Sequence, residues 1–226
     1  SDLELAGTFE KSPKASFSNV PLTNEGKMAK VKGNLGNDFC SQSLFLYGTK
    51  KDDGSPDFGL FCWFSYATIE VNKELRMGVM ACIGEEKLTK DLIRKNGVFS
   101  ANLVTEKLLP LADYYGCTSG RDNPDKMKFC PTIEKGQVLD VPTIAESPVS
   151  FELRVVKEIH AAEGSDIFLC EICNVIIEEK FKDKSLPFME RLKLVAPVIT
   201  AGETTYVSLD GRELGRWSQP MKSLTK

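Results

Sequence analysis

Lys87 and Thr89, in "CIGEEKLTKDLIRKNG", are the residues whose types and spacing point most directly to binding chemistry. An apolar strand ending at Cys82–Gly84 leads up to them. A short helix over Lys90–Asn96 follows, with Thr89 as its expected N-cap and Gly97 just past its end. The first turn of a helix presents unpaired N–H groups and the positive end of its dipole. A lysine, a hydroxyl and free amides at one point make an anion site, and phosphate suits it. An ordinary capped surface helix would carry the same residues, so a second feature is needed to choose.

That feature is "FCWFSYATIE". It holds Phe61, Trp63, Phe64 and Tyr66 within six residues, with a hydroxyl among them at Ser65 and another just after at Thr68. A half-buried strand normally alternates apolar and polar; here aromatics fall on both faces. As a hairpin with "LYGTKK", this strand would lie beside "MGVMACIG", close to Lys87 and Thr89. A ligand with a planar ring along Phe64–Tyr66, a hydroxylated chain and a terminal phosphate has the chemistry of FMN. Aromatic residues in a strand are also ordinary core, so neither feature decides alone.

Other chemistries are poorly supported. The chain has no G-x-G-x-x-G, no G-x-x-x-x-G-K-S/T and no G-x-S-x-G. One histidine, His160, leaves little for histidine metal sites or Ser-His-Asp triads, and it reads as a surface residue at a strand end. Cys170 and Cys173 in "CEIC" look like a metal or redox pair, but in a strand positions i and i+3 face opposite ways. Seven scattered cysteines do not form a disulfide framework and fit a reducing cytoplasm. Cys117 is the one thiol outside the apolar strands that invites a test as an oxidative sensor. The net charge of −3 argues against binding to nucleic acid or an anionic membrane. No apolar run reaches about 18 residues, so no membrane span is expected, and no signal peptide is visible.

The elements that must position these residues read as mainly β. Residues 1–38 are polar and rich in Gly and Asn, an extension with a short strand at Ala6–Phe9; 39–226 form the main domain. Strands are expected at Ser43–Lys51, at "LFCWFSYATIE" as its return partner after the "KDDGSPDFG" turn, at "LRMGVMACIG" and at "VFSANLV". "TEKLLPLADYYG" reads as a second short helix capped by Thr105. "PVSFELRVVKEIHAA" and "SDIFLCEICNVIIEE" form a long antiparallel hairpin, and "ETTYVSLDGRELG" adds a late strand. Six or seven hairpin-connected strands with two inserted helices predict an antiparallel barrel, not a doubly wound sheet.

The ordered set "FCWFSYATIE", "ACIGEEKLTKDLIRKNGVFSANL", "LLPLADYYGCTSGRD", "LDVPTIAESPVSFELRVVKEI" and "DIFLCEICNVIIEE" resembles the flavin reductase-like, FMN-binding split-barrel family, its flavoredoxin branch above all. The resemblance runs from Ser43 to Gly215. It implies a six-stranded Greek-key split β-barrel, a homodimer, and FMN held non-covalently near the subunit interface. By matching position, Phe64, Ser65 and Tyr66 would line the ring and ribityl region, with backbone contacts from Cys82, Ile83 and Gly84. Lys87 and Thr89 would hold the phosphate. Asn102 and the "TSGRD" loop, Ser119 to Asp122, would lie near the flavin or its mouth, and Trp63 would serve packing or an interface. Where many members carry a histidine before the strand matching "DIFLCEI", this chain has Ser165 and Asp166.

The function so implied is hydride transfer from NAD(P)H to bound FMN, then passage of electrons to flavin, oxygen or a protein. The alternative is an FMN electron carrier with little NAD(P)H activity, and a third reading is a ligand-binding barrel without flavin.

Overall fold

The computed structural model describes residues 30–33, 35–36, 39–84, 87–209 and 213–224. The expected strand at Ala6–Phe9, and nearly all of the expected 1–38 extension, lie outside the described residues. The elements in order are β1 (Gln42–Ser43), β2 (Phe45–Lys50), β3 (Pro56–Phe61), β4 (Phe64–Val71), β5 (Glu74–Gly84), α1 (Leu88–Asn96), β6 (Val98–Leu103) and α2 (Leu109–Cys117). They continue with β7 (Ile133–Lys135), β8 (Pro142–Ile144), β9 (Val149–Ala162), β10 (Ser165–Ile177), α3 (Phe188–Val195), β11 (Val198–Thr200), β12 (Thr205–Ser208) and β13 (Glu213–Arg216).

Seven strands form one antiparallel sheet in the order β3-β2-β6-β9-β10-β5-β4. Its outermost strands, β3 and β4, are joined only through Cys62 and Trp63. Opposite edges of a sheet lie two residues apart only when the sheet curls until they meet. The result is an antiparallel barrel split along the β3–β4 seam, as the sequence predicts, with seven strands in its sheet rather than the six the resemblance implies. The reason is that "LFCWFSYATIE" is not one return strand. It breaks at Cys62–Trp63, so that β3 pairs with β2 and β4 pairs with β5.

Alternation along β2 and β3 separates two cores. Phe45, Tyr47 and Phe61 face the barrel interior, with Val79, Ala81, Phe99 and Phe168. Leu46, Phe58 and Leu60 face outward, where α2 covers them together with Val198 and Tyr206. Val198 and Tyr206 belong to a second sheet of order β1-β11-β12-β13, of which the sequence reading anticipates only the β12–β13 part.

α1 closes one end of the barrel through Ile93, which is fully buried in the interior core. It starts at Leu88, earlier than expected, with Lys87 at the N-cap and no side-chain cap. Gly97 ends it in the left-handed conformation (φ 68°), its N–H bonded to the Ile93 carbonyl. α2 likewise lacks the expected cap. Thr105 instead bridges to Pro197, and α2 begins at Leu109 with Pro110 in its first turn, where a missing N–H costs nothing. The β9–β10 hairpin forms as expected, turning at Glu163–Gly164. Cys170 is buried in the interior core and Cys173 is half-buried beyond a bulge. Among the described residues no His, Cys, Asp or Glu cluster could hold a metal ion, and no helix is long and apolar enough to cross a membrane.

Candidate functional site

The seam makes the site. Where the chain leaves β3, the Phe64 amide donates to the Cys62 carbonyl (3.0 Å) and the Cys82 amide to the Trp63 carbonyl (2.9 Å). This tight bend leaves Trp63 47% exposed, at the meeting of three cavities. One of about 400 Å³ lies among Ser41–Ser43, Trp63–Ser65, Met80 and Cys82. A second, of about 190 Å³, lies among Leu60–Trp63, Cys82, Gly84 and Lys87. Together they form a groove from the Ser65 hydroxyl, past Trp63 and Cys82, to the start of α1.

The start of α1 is held by polar contacts beneath it. The Thr89 hydroxyl donates to Asp57 Oδ2 (2.5 Å), and Lys126 Nζ lies 3.7 Å from Asp57 Oδ1. All three side chains are buried. Burial pushes the Lys126 pKa down; Asp57 opposes that shift, while Lys87 and Lys51 add to it. Two glycines make this approach possible. A Cβ on Gly59 would stand 2.8 Å from Thr89 Oγ1, and one on Gly120 would stand 2.9 Å from Leu88 Cδ2 and 3.2 Å from Asp57 Oδ1. Gly120 thereby brings the "TSGRD" loop against the first residue of α1.

The far side of the helix is pinned by a second charged group. Lys90 Nζ donates to Asp166 Oδ2 (2.9 Å) and to the Gly164 carbonyl (3.2 Å). Arg94 reaches the same carboxylate at 3.2 Å, and His160 Nδ1 lies 2.9 Å from its other oxygen. The hydrogen bonds from Lys90 and His160 hold the Asp166 carboxyl down at about 2. His160 itself is exposed, as the sequence suggests.

The sequence-predicted site residues do not all gather in the groove. Ser65, Cys82, Gly84 and Lys87 line it, and Phe64 borders it. The Phe64 ring, however, packs against Phe45 at 4.3 Å and Phe151 at 5.6 Å. Tyr66 lies on the strand face opposite Ser65, edge-on to Phe64 and Phe151. The Ile83 side chain is fully buried in the barrel core. Thr89 is not a cap: its hydroxyl is engaged by Asp57. Asn102 is a strut, its amide donating to Leu46 O and Ser100 Oγ and its oxygen accepting from Ile144 N and Ser150 Oγ. Those four bonds use its full hydrogen-bonding capacity. Ser119 is exposed and accepts from the Arg121 amide, while Arg121 pairs with Asp91 on α1.

Sequence reasoning missed Ser41–Ser43, Asp57 and Lys126. Nothing local marks them; they are brought in by pairing and by the loop after α2. At Cys117, burial first and Asp113 second push the thiol up to about 11, away from the lowered value a reactive thiol needs. A cavity of about 500 Å³ between Thr105–Lys107, Glu146 and the end of α3 contains none of the predicted residues.

A family model for the flavin reductase-like domain matches residues 43–193. Flavoredoxin from Methanosarcina acetivorans is similar at a TM-score of 0.67 and 23% identity, over 87% of this chain and all (100%) of that one. Flavoredoxin of Desulfovibrio vulgaris gives 0.65 and 25%, over 84% and 98%. An FMN-binding protein from Thermus thermophilus gives 0.60 and 18%, over 81% and 95%. The match spans about half the length of the curated relatives: 45% of an Aeropyrum pernix protein at 33% identity and 56% of an Archaeoglobus fulgidus protein at 32%.

Proposed function

The chain belongs to the flavin reductase-like domain family, and from that premise we propose that it is an FMN-binding oxidoreductase that takes hydride from NAD(P)H onto bound FMN and passes the electrons on. The observation that carries this reading is the seam groove, which runs from a hydroxyl at Ser65 past Trp63 to Lys87 at a helix start. Its donor set fits FMN. Trp63 and Met80 offer apolar surface to a planar ring, Ser43 and Ser65 offer hydroxyls to a polyol, and Lys87 with the first-turn amides of α1 offers charge-assisted hydrogen bonds to a phosphate. When bound, FMN supplies the hydride and electron chemistry. The chain's residues bind and orient, and none is required as a general acid or base, which suits a protein with one histidine.

We take the working unit to be a homodimer, in which a second copy covers apolar side chains exposed on β4 and β5, Tyr66, Met77 and Met80 among them. The seven unbridged cysteines favour the reducing cytoplasm. A second reading, an FMN electron carrier with little NAD(P)H activity, is favoured by the strand start at Ser165–Asp166. There the Asp166 carboxylate is already engaged by Lys90 and His160.

The test is an absorbance spectrum after adding FMN and desalting, followed by anaerobic NADH. Retained flavin that bleaches supports the reductase, and retained flavin reduced only by dithionite supports the carrier. Without retained flavin or turnover, both readings fail. Lys87→Ala should weaken FMN affinity by about tenfold to a hundredfold; unchanged affinity removes Lys87 from the site.

A further inference from the structure

The third cavity at Trp63, about 250 Å³, is unlike the other two. Its inner wall is the segment Leu60–Trp63, at the end of β3 and the seam, and its outer wall is Thr200, Thr204, Tyr206 and Trp217. None of its lining residues is charged. The outer wall lies beyond residue 193, past the segment that the family model matches.

The wall is fixed from behind. The buried Asp113 of α2 accepts from the Tyr206 hydroxyl (2.8 Å), the Ser218 amide (2.9 Å) and the Met221 amide (3.0 Å). The Trp217 ring lies on Gly116 of α2, where a Cβ would come within 2.5 Å of it, and the Trp217 amide donates to the Thr204 carbonyl at 3.0 Å. With the Tyr206 hydroxyl engaged by Asp113, the cavity presents mainly ring faces and aliphatic surface. A charged guest would find no opposite charge among the lining residues. An apolar cavity of about 150 Å³ holds benzene, whereas drug-sized ligands need roughly 300–1,000 Å³. The volume here suits one ring with a small substituent.

We propose that this cavity is a binding subsite for a neutral, single-ring aromatic molecule, built by the C-terminal sheet and sharing the Leu60–Trp63 wall with the seam groove. That the ring would lie beside a flavin rests on the reading above; that it binds here does not. The C-terminal segment would then select the small molecule this chain accepts.

The chain has two tryptophans, and both line this cavity, so intrinsic fluorescence reports on it directly. The purified protein, with and without added FMN, is titrated with 4-fluorobenzyl alcohol and with 4-fluorobenzoate. Tryptophan emission and ¹⁹F line width are both followed. A saturable response to the alcohol is expected, at least tenfold weaker for the benzoate. Thr200→Phe, which fills the cavity from β11, should abolish the response while FMN retention after desalting stays unchanged. If that variant does not fold, Thr200→Leu is measured in its place and should weaken the response. An unsaturable response, equal binding of the anion, or full binding in the filled variant overturns the subsite. Ring binding by a protein that neither retains nor turns over flavin keeps the subsite and removes the flavin reading.

Discussion

Lys90, within α1, and Lys126, beneath its start, are both buried, yet they are held in different ways. Lys90 has a carboxylate at 2.9 Å and a carbonyl at 3.2 Å, inside a group that also includes Arg94 and His160. Lys126 has its carboxylate at 3.7 Å and the Tyr115 ring at 5.8 Å, and burial lowers its pKa. Asp57, its partner, has one oxygen without a hydrogen bond. A well-paired buried charge is a strut, and Lys90 locks α1 to the start of β10. Lys126 is loosely paired beneath the helix start, with Asp57 opposite it and Lys87 near enough to lower its pKa further. The two lysines thus separate a group that locks α1 to the start of β10 from one that is loosely held beneath the helix start.

Breaking the tight side should have the larger effect. Asp166→Ala removes the carboxylate that Lys90, Arg94 and His160 share and is expected to cost roughly 3–5 kcal/mol in urea unfolding. Asp57→Ala, on the loose side, should cost about 1–3 kcal/mol, because Thr89 loses its acceptor and Lys126 is poorly paired already. The reverse order would mean that Lys126, not Lys90, is the strut.

The two sides should also respond to pH at opposite ends. Asp166 is depressed to about 2 from an ordinary aspartate value. Its contribution to stability is full above about pH 4 and is lost as pH falls toward 2; Asp166→Asn should flatten the acid limb of the unfolding midpoint. Lys126 is depressed from the ordinary lysine value, so the unfolded chain binds more protons and stability rises with pH up to about 10.4. Lys126→Met should remove that alkaline rise; if the rise persists, the lysine is not held under strain. The smallest effect concerns Cys117. With its thiol pushed up to about 11, iodoacetamide at pH 8 should label it slowly, and labelling as fast as an ordinary exposed thiol would return it to the list of sensors.

Much of this was legible in the residues themselves. The β9–β10 alternation and the Gly97 stop rest on periodicity or on contacts a few residues long. Asn102 was not legible as a strut. An asparagine at a strand end looks available to a ligand until Leu46, Ser100, Ile144 and Ser150 are folded around it. Thr89 misled for a related reason. Its capping preference is local, but the Asp57 carboxylate is a stronger partner brought in from 32 residues away.

The sequence alone therefore determined the mainly β class, the short helix after a central strand, and the cation at that helix start, because side-chain alternation and helix-end chemistry act over a few residues. The tertiary structure decided the break at Cys62–Trp63, the loose pairing of Lys126 and the aromatic wall carried by Tyr206 and Trp217. These depend on which distant groups meet, such as Tyr206 and Asp113 across 93 residues. No local pattern encodes such a meeting, since it exists only once the sheet has curled and its edges have closed.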